Sequence, residues 1–189
     1  VIDMSYYLPW LQAQCDARGV QTRRTEISAL EEAFEHGELV VLAAGLTSND
    51  FAADADLVPV RGQTVRLKNP GYFEWTIDDA NPDGLTYVIP RRDEIVCGGT
   101  DEEGEWGLDL DPAVEAGVLE RVRALIPELR EAPITSRAVG LRPGRREVRV
   151  ETIPDAQGRP VIHCYGHGGS GVTLSWGCAE AVAALTAQL

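Results

Sequence analysis

The sequence is poor in several things at once, and each scarcity closes off a class of function. Its four cysteines, Cys15, Cys97, Cys164 and Cys178, lie so far apart that they form no CxxC pair and no zinc-finger spacing. Such spacing predicts buried free thiols in a reducing compartment, with a single disulfide as the other reading. Positive charge is scarce: 17 Lys and Arg stand against 30 Asp and Glu, a net charge of −13. So acidic a chain is not built for nucleic acid or an anionic membrane, although a local cationic pocket for a small anion stays compatible with it. The longest apolar runs fall far short of a membrane span. No secretory signal opens the chain, and the C-terminal TAQL is no peroxisomal address, so the expectation is a cytoplasmic protein. No GxGxxG heads a βαβ unit, and no GK[ST] completes a phosphate loop. The chain opens on Val1 and runs straight into VIDMSYYLPWLQAQCDARG, which reads as the interior of a longer protein.

What is present is ordinary for a globular chain: 44% hydrophobic and 25% charged residues over 189 positions. That is enough for one sizeable domain or two small ones. MSYYLPWLQAQCDARG has helical spacing at Tyr7, Leu8, Leu11 and Cys15, with Gly19 placed to end it and Pro9 tolerable only near the first turn. VQTRRTEI (20–27) alternates like a strand. SALEEAFEHG reads as a short helix with a capping box at Ser28 and Glu31, and ELVVLAAGL as a buried strand. The first 45 residues thus run α-β-α-β, one wing of an α/β domain.

The middle changes character. LVPVRGQTVRLKN, LTYVIPRRD and EIVCGGTDE are strand-like, the last two forming a hairpin that turns at Arg91–Glu94. DLDPAVEAGVLERVRALIPEL predicts a helix over 112–126. Asp111 is its N-cap, Pro112 its first residue, and Val114, Val118, Val122, Leu125 and Ile126 form its apolar stripe. ITSRAVGLRP, REVRVETIP and PVIHCYG are three further strands, and SGVTLSWGCAEAVAALTAQL is a final helix with a small-residue face. Two α/β pieces therefore flank a strand-rich middle.

Three local features carry chemistry. GHGGSG joins a strand to a helix, the setting in which bare backbone N–H groups can face an anion at a helix start. The competing reading is a tight packing turn without a ligand. His163 and His167 lie beside it without a carboxylate or a second cluster at ligand spacing, so they read as hydrogen-bonded loop histidines. Arg142 in GLRPGRR ends a strand and can hold a carboxylate with both prongs of its guanidinium, or make a surface ion pair. Tyr87 sits in an apolar strand, either as a core residue or with its hydroxyl aimed at a partner.

Taken together and in order, these segments resemble the D-amino-acid oxidase family of flavoenzymes. YGHGGSGVTLSWGCA is similar to the family's C-terminal signature and GLRP to its substrate-arginine motif. LTYVIP followed by IVCGGTDEEGEW is similar to its active-site tyrosine strand and the hairpin after it. YLPWL…ARGV, ISALEEA, VVLAAGLTS and VRGQTVRL extend the likeness from about Tyr7 to about Ala183. The resemblance implies an α+β / α/β protein that combines part of a Rossmann-like FAD-binding domain with an antiparallel-sheet substrate domain. Residues 1–50 and 156–189 would belong to the former and 51–155 to the latter. The GxGxxG unit that opens such proteins would be missing from this stretch.

The resemblance also implies roles. Arg142 would hold the substrate carboxylate, Tyr87 would donate a second hydrogen bond to it, and the Gly169 carbonyl would accept from the amino group. Gly168, Gly169, Ser170, Gly171, Val172 and Thr173 would wrap the flavin ring, Ile27 would touch the adenine side, and Ala44 and Gly45 would line the cofactor cleft. The expected reaction takes a neutral or basic D-amino acid and molecular oxygen to a 2-oxo acid, ammonia and hydrogen peroxide, with a homodimer as the expected assembly. Two departures shape that expectation. A lid tyrosine carried by some members, four residues before the active-site one, is replaced here by Asp83. D-aspartate oxidases place an arginine after GGT, where this chain has Asp101, Glu102 and Glu103, which would repel an acidic substrate. The alternatives are an oxidase of the glycine or sarcosine type, and a non-catalytic carboxylate-binding fragment. As a fragment, the chain is expected to retain flavin poorly, or to self-associate through the face that would meet the missing unit.

Overall fold

The computed structural model describes residues 2–189. In chain order the elements are α1 (Met4–Asp16), α2 (Leu30–Phe34), β1 (Val40–Leu42), α3 (Ser48–Ala52), β2 (Val58–Lys68), β3 (Thr76–Asp78), β4 (Thr86–Pro90), β5 (Glu94–Gly98), β6 (Glu102–Glu103), α4 (Pro112–Leu125), β7 (Ile134–Pro154), β8 (Pro160–His167) and α5 (Gly171–Thr186). They divide into two packing units. One comprises 1–26, 63–100 and 110–138; the other comprises 27–62, 101–109 and 139–189. No helix among the described residues is long and apolar enough to cross a membrane.

The first unit is an antiparallel ladder covered by a helix. The end of β2 pairs with β5 (Val65↔Cys97, Lys68↔Glu94), β5 with β4 (Tyr87↔Gly98, Pro90↔Ile95), and β4 with β3 (Thr76↔Val88). The expected hairpin closes through the Arg91 N–H, which donates to the Glu94 carbonyl at 2.7 Å. Helix α4 starts as its sequence predicts: the Asp111 carboxylate accepts from the N–H groups of Ala113 (2.7 Å) and Val114 (3.3 Å), and Pro112 follows it. Its Val118, Leu119 and Val122 pack with Val65, Leu67, Val88, Ile95, Cys97 and Leu129 into one apolar core. Gln63 is fully buried and fastens the start of α4 to β2. Its amide donates to the Asp111 carbonyl (2.9 Å) and accepts from the Asp111 N–H (2.8 Å).

The second unit is mixed. β1 runs parallel to β8 (Val41↔Ile162), β7 antiparallel to β8 (Thr152↔Ile162), and β6 pairs with the start of β2. Its apolar core is small: Leu42, Leu57, Val161 and Tyr165, flanked by Leu30, Phe34, Leu46 and Phe51. Beside it lies a buried ionic network. Asp54 accepts from Arg145 (3.1 Å), Arg149 (2.8 Å) and the Tyr165 hydroxyl (3.0 Å). Burial pushes the Asp54 carboxyl up, but these bonds and the Asp56 N–H outweigh it and hold the group below its ordinary value.

Several sequence expectations are revised. Residues 20–27 form no strand; 20–26 are exposed, and an extended segment without a paired edge gains nothing over solvated coil. Pro9 sits well inside α1. The helical bond it cannot donate is the one to Ser5, which is exposed, so solvent can take its place. The capping interaction of α2 shifts by one residue: the Ser28 N–H donates to Glu32, not Glu31, at 2.8 Å. ITSRAVGLRP and REVRVETIP are one 21-residue strand, β7, and its irregularity matters for the site.

Candidate active site

Tyr87 lies on β4 between Thr86 and Val88, both fully buried on the side that meets α4. Strand alternation therefore turns the half-buried Tyr87 to the opposite face. Its ring rests directly on Gly98 and Gly99 of the GGT segment. A Cβ added at Gly98 would collide with the phenol, and one at Gly99 would come within 2.6 Å of Cε1. Two consecutive glycines are thus the seat of this ring. Arg121 of α4 secures that seat, donating to the Gly99 carbonyl at 3.3 Å and to Thr86 Oγ1 at 3.1 Å. Gly98, Gly99 and Arg121 were not singled out by sequence reasoning. The GG pair directly across the hairpin from Tyr87 was the available signal.

Arg142 belongs to the second unit. It stands on β7 just before the strand loses register with β8. Gly144 pairs with His167 and Arg149 with Tyr165, so residues 145–148 of β7 stand opposite Gly166 alone. Gly166 has φ +83°, and a Cβ there would meet Arg145 Cβ at 2.8 Å, so the bulge requires glycine. The guanidinium of Arg142 lies over Gly62 of β2: a Cβ at Gly62 would sit 2.6 Å from Nη1 and 2.7 Å from Cζ. The stem of the same side chain passes Gly169, where an added Cβ would be 3.7 Å from Cδ and 4.0 Å from Nε. The fold thus brings Arg142 against the glycine-rich turn, and Gly62, which the sequence did not flag, makes the room.

That turn is one 3-10 turn, Gly168–Ser170, leading directly into α5. Gly168 has φ +54°, the left-handed conformation that glycine adopts without strain, and a Cβ there would meet nothing within 4 Å. Ser170 makes no side-chain cap, so the first N–H groups of α5 are not occupied by it. Gly169, Ser170, Val172 and Thr173 are exposed, and Gly168 and Gly171 half-buried. Ile27 is half-buried in an irregular segment, while the exposed Ala44 and half-buried Gly45 open the 3-10 turn after β1. All residues expected to hold the cofactor therefore fall in the second unit with Arg142 and Gly169; Tyr87 falls in the first.

The two histidines of the region differ. His163 is buried edge-on to Tyr165, with ring centroids 5.8 Å apart, and its Nδ1 has no hydrogen-bond partner. Burial, then Arg149, lowers its pKa and keeps it neutral. His167 is half-buried, with Nε2 3.3 Å from Cys178 Sγ. All four cysteines are free, and burial pushes the Cys97 thiol up to about 12, which makes it an inert core residue.

Comparison with known proteins gives the family. The D-amino-acid oxidase of Rubrobacter xylanophilus is 46% identical over 185 residues, covering 98% of this chain and 57% of that protein. The human D-aspartate oxidase is 37% identical over 185 residues, covering 96% of this chain and 53% of that protein. The chain thus spans somewhat more than half the length of the curated relatives it matches. Among solved structures, glycine oxidase from Geobacillus kaustophilus superposes with a TM-score of 0.70 at 20% identity, covering 80% of this chain and 42% of that one, which is a likeness of fold. The family model described as DAO, FAD dependent oxidoreductase, matches residues 1–185, and the chain belongs to that family.

Proposed function

We propose that this chain carries the substrate-holding and flavin-contacting residues of an oxidase that deaminates neutral or basic D-amino acids. The observation that carries the reading is the lodging of Arg142 between Gly62 and Gly169, which puts a cation beside the exposed glycine turn. The 46% identity to a D-amino-acid oxidase supports the reaction class.

The residues suit FAD. The turn at Gly168–Ser170 is bare, its Ser170 leaves the first donors of α5 to other acceptors, and the positive end of the helix faces the same way. Gly168 to Thr173 would hold the ring, Ala44 and Gly45 the cleft, and Ile27 the adenine side. Bound there, FAD would supply the two-electron acceptor for the substrate Cα–H bond, with oxygen as final acceptor, so that the overall products are a 2-oxo acid, ammonia and hydrogen peroxide. The chain's own residues bind and orient. Arg142 would grip the carboxylate with two parallel N–H bonds and the Gly169 carbonyl would accept from the amine, together fixing Cα in a reactive pose, and the family resemblance assigns Tyr87 a carboxylate hydrogen bond. No protein base is required when the amine enters without its extra proton.

The three acids after GGT are not equivalent. Glu102 is committed to the buried Arg61 at 2.6 Å, which also donates to the carbonyls of Gly107 (2.8 Å) and Asp109 (2.6 Å). Asp101 is exposed, and it is the residue to which the discrimination against acidic substrates is assigned. The same reading assigns residues 1–50 and 156–189 to cofactor binding and 51–155 to substrate. It also assigns the protein no nucleic-acid or membrane partner and a cytoplasmic location, supported by the four free thiols and the net charge of −13, and is compatible with a homodimer.

The test is a visible spectrum of the purified protein with added FAD, before and after D-alanine without oxygen, followed by a substrate panel. Bleaching of the flavin band, with kcat/KM for D-alanine or D-lysine at least tenfold above D-aspartate, is expected. No bleaching with any D-amino acid in a sample that shows a flavin band overturns the reaction, D-aspartate in first place overturns the substrate class, and preference for glycine or sarcosine moves the protein to that type of oxidase; no flavin band even with added FAD leaves this chain as the substrate-side fragment and assigns the reaction to the intact protein.

A further inference from the structure

Behind the glycine turn lies a group of side chains that the proposed reaction does not use. Cys164 and His167 are on β8 and Cys178 is on α5; the two thiols and one imidazole nitrogen all lie within 4.8 Å of one another. The sequence hid this trio. Cys164 and His167 are three residues apart, but Cys178 is eleven residues further on, and the spacing matches no zinc motif. Only the reversal of the chain from β8 through the turn into α5 gathers them.

We propose that Cys164, His167 and Cys178 form a binding site for a thiophilic divalent cation, with Zn²⁺ as the fitting ion. The donor set is two thiolates and one imidazole, a combination that suits zinc and disfavours calcium or magnesium. The spacing is close to what coordination requires. With Zn–S near 2.3 Å and Zn–N near 2.0 Å at tetrahedral angles, ligand atoms lie about 3.5–3.8 Å from each other. His167 Nε2 and Cys178 Sγ are already 3.3 Å apart, and the third donor falls within the same small sphere. Charge agrees as well: two thiolates neutralise one divalent ion, so a half-buried position is left without net charge. Three protein ligands leave the fourth position open to solvent. Because the ligands come from both sides of the turn, the ion would pin the end of β8 to the second turn of α5. The site does not depend on the turn holding a flavin.

The test uses the protein freed of metal by chelator under a non-thiol reductant and titrated with Co²⁺, then with Zn²⁺ in competition with a chromophoric chelator. One equivalent of Co²⁺ should give a thiolate-to-cobalt charge-transfer band with tetrahedral visible absorption, and one equivalent of Zn²⁺ should abolish both. Cys164→Ser and Cys178→Ser should each weaken Zn²⁺ at least about 100-fold, since even residues that merely support a ligand cost about 10–100-fold. His167→Gln should weaken binding while keeping the charge-transfer band, which separates loss of a ligand from loss of the fold. Cys15→Ser, on α1, should change nothing. Absence of the band overturns the site, as does a band that survives both serine variants. Formation of a Cys164–Cys178 disulfide in place of metal binding also overturns it.

Discussion

The two packing units fill their interiors differently. The first has a continuous apolar core in which α4 buries Val118, Leu119 and Val122 against β2, β4 and β5. The second has a core cluster of only four buried apolar residues and an ionic network. Its longest helix, α5, buries no residue, and Val172, Leu174 and Trp176 are 46, 39 and 59% exposed. The residues assigned to cofactor and carboxylate lie almost all in the second unit. Apolar packing is thinner in the unit that holds most of the residues proposed for the site, in keeping with binding segments being drawn from the less consolidated parts of a fold.

The contrast is testable by substitution. The largest effect belongs to the first unit: Leu67→Ala removes a fully buried side chain and should lower unfolding free energy by about 2–5 kcal/mol. The equivalent truncation on the exposed helix, Leu174→Ala, should stay within about 0.5 kcal/mol. Denaturant titration of the two variants checks both. Similar costs would mean that α5 is packed in solution and that the comparison fails.

Next comes the ionic network. Asp54→Asn keeps an acceptor for Tyr165 but leaves Arg145 and Arg149 without their buried counter-charge. The cost should be about 3 kcal/mol, the low end for a broken buried pair, because Arg149 retains Glu151 and Arg145 retains Asp56. The pH dependence follows from the direction of the Asp54 shift. Its folded pKa lies below the ordinary 3.8, so its stabilisation is complete above that value and is lost as pH falls through the folded pKa. The gap between wild type and Asp54→Asn should therefore be widest at neutral pH and close in acid. A constant gap would show that the carboxylate charge is not what holds the unit.

How much of this was legible beforehand depended on whether a feature is local. The α4 cap at Asp111–Pro112 and the hairpin at Arg91–Glu94 were readable, because their signals lie within a few residues of the structure they make. The strand expected at 20–27 was not borne out, since alternation alone cannot say whether a partner edge exists. In the candidate site, Arg142, Tyr87 and the glycine turn stood out through motif resemblance. Their supports did not: Gly62, the Gly98–Gly99 seat, Arg121 and the Cys164–His167–Cys178 group are set by strand register and chain reversal, which no local window contains.

The smallest effect offers the sharpest separation of stability from function. Gly62 does not have a positive φ, so alanine is compatible with its backbone. The atoms nearest to an added Cβ all belong to the guanidinium of Arg142, the far end of a long side chain rather than backbone. Gly62→Ala should therefore change stability by less than about 1 kcal/mol. It should nevertheless move the group assigned to the substrate carboxylate, and a misplaced fork loses part of a bidentate bond. A fall in kcat/KM of about tenfold, equivalent to about 1.4 kcal/mol, is expected. Gly169→Ala, whose Cβ would make only an ordinary 3.7 Å contact with the Arg142 stem, should disturb that side chain less. Steady-state kinetics beside a denaturation curve reads both quantities. If Gly62→Ala keeps full kcat/KM, the space over Gly62 does not set the working position of Arg142, and the carboxylate role has to be sought in another cation.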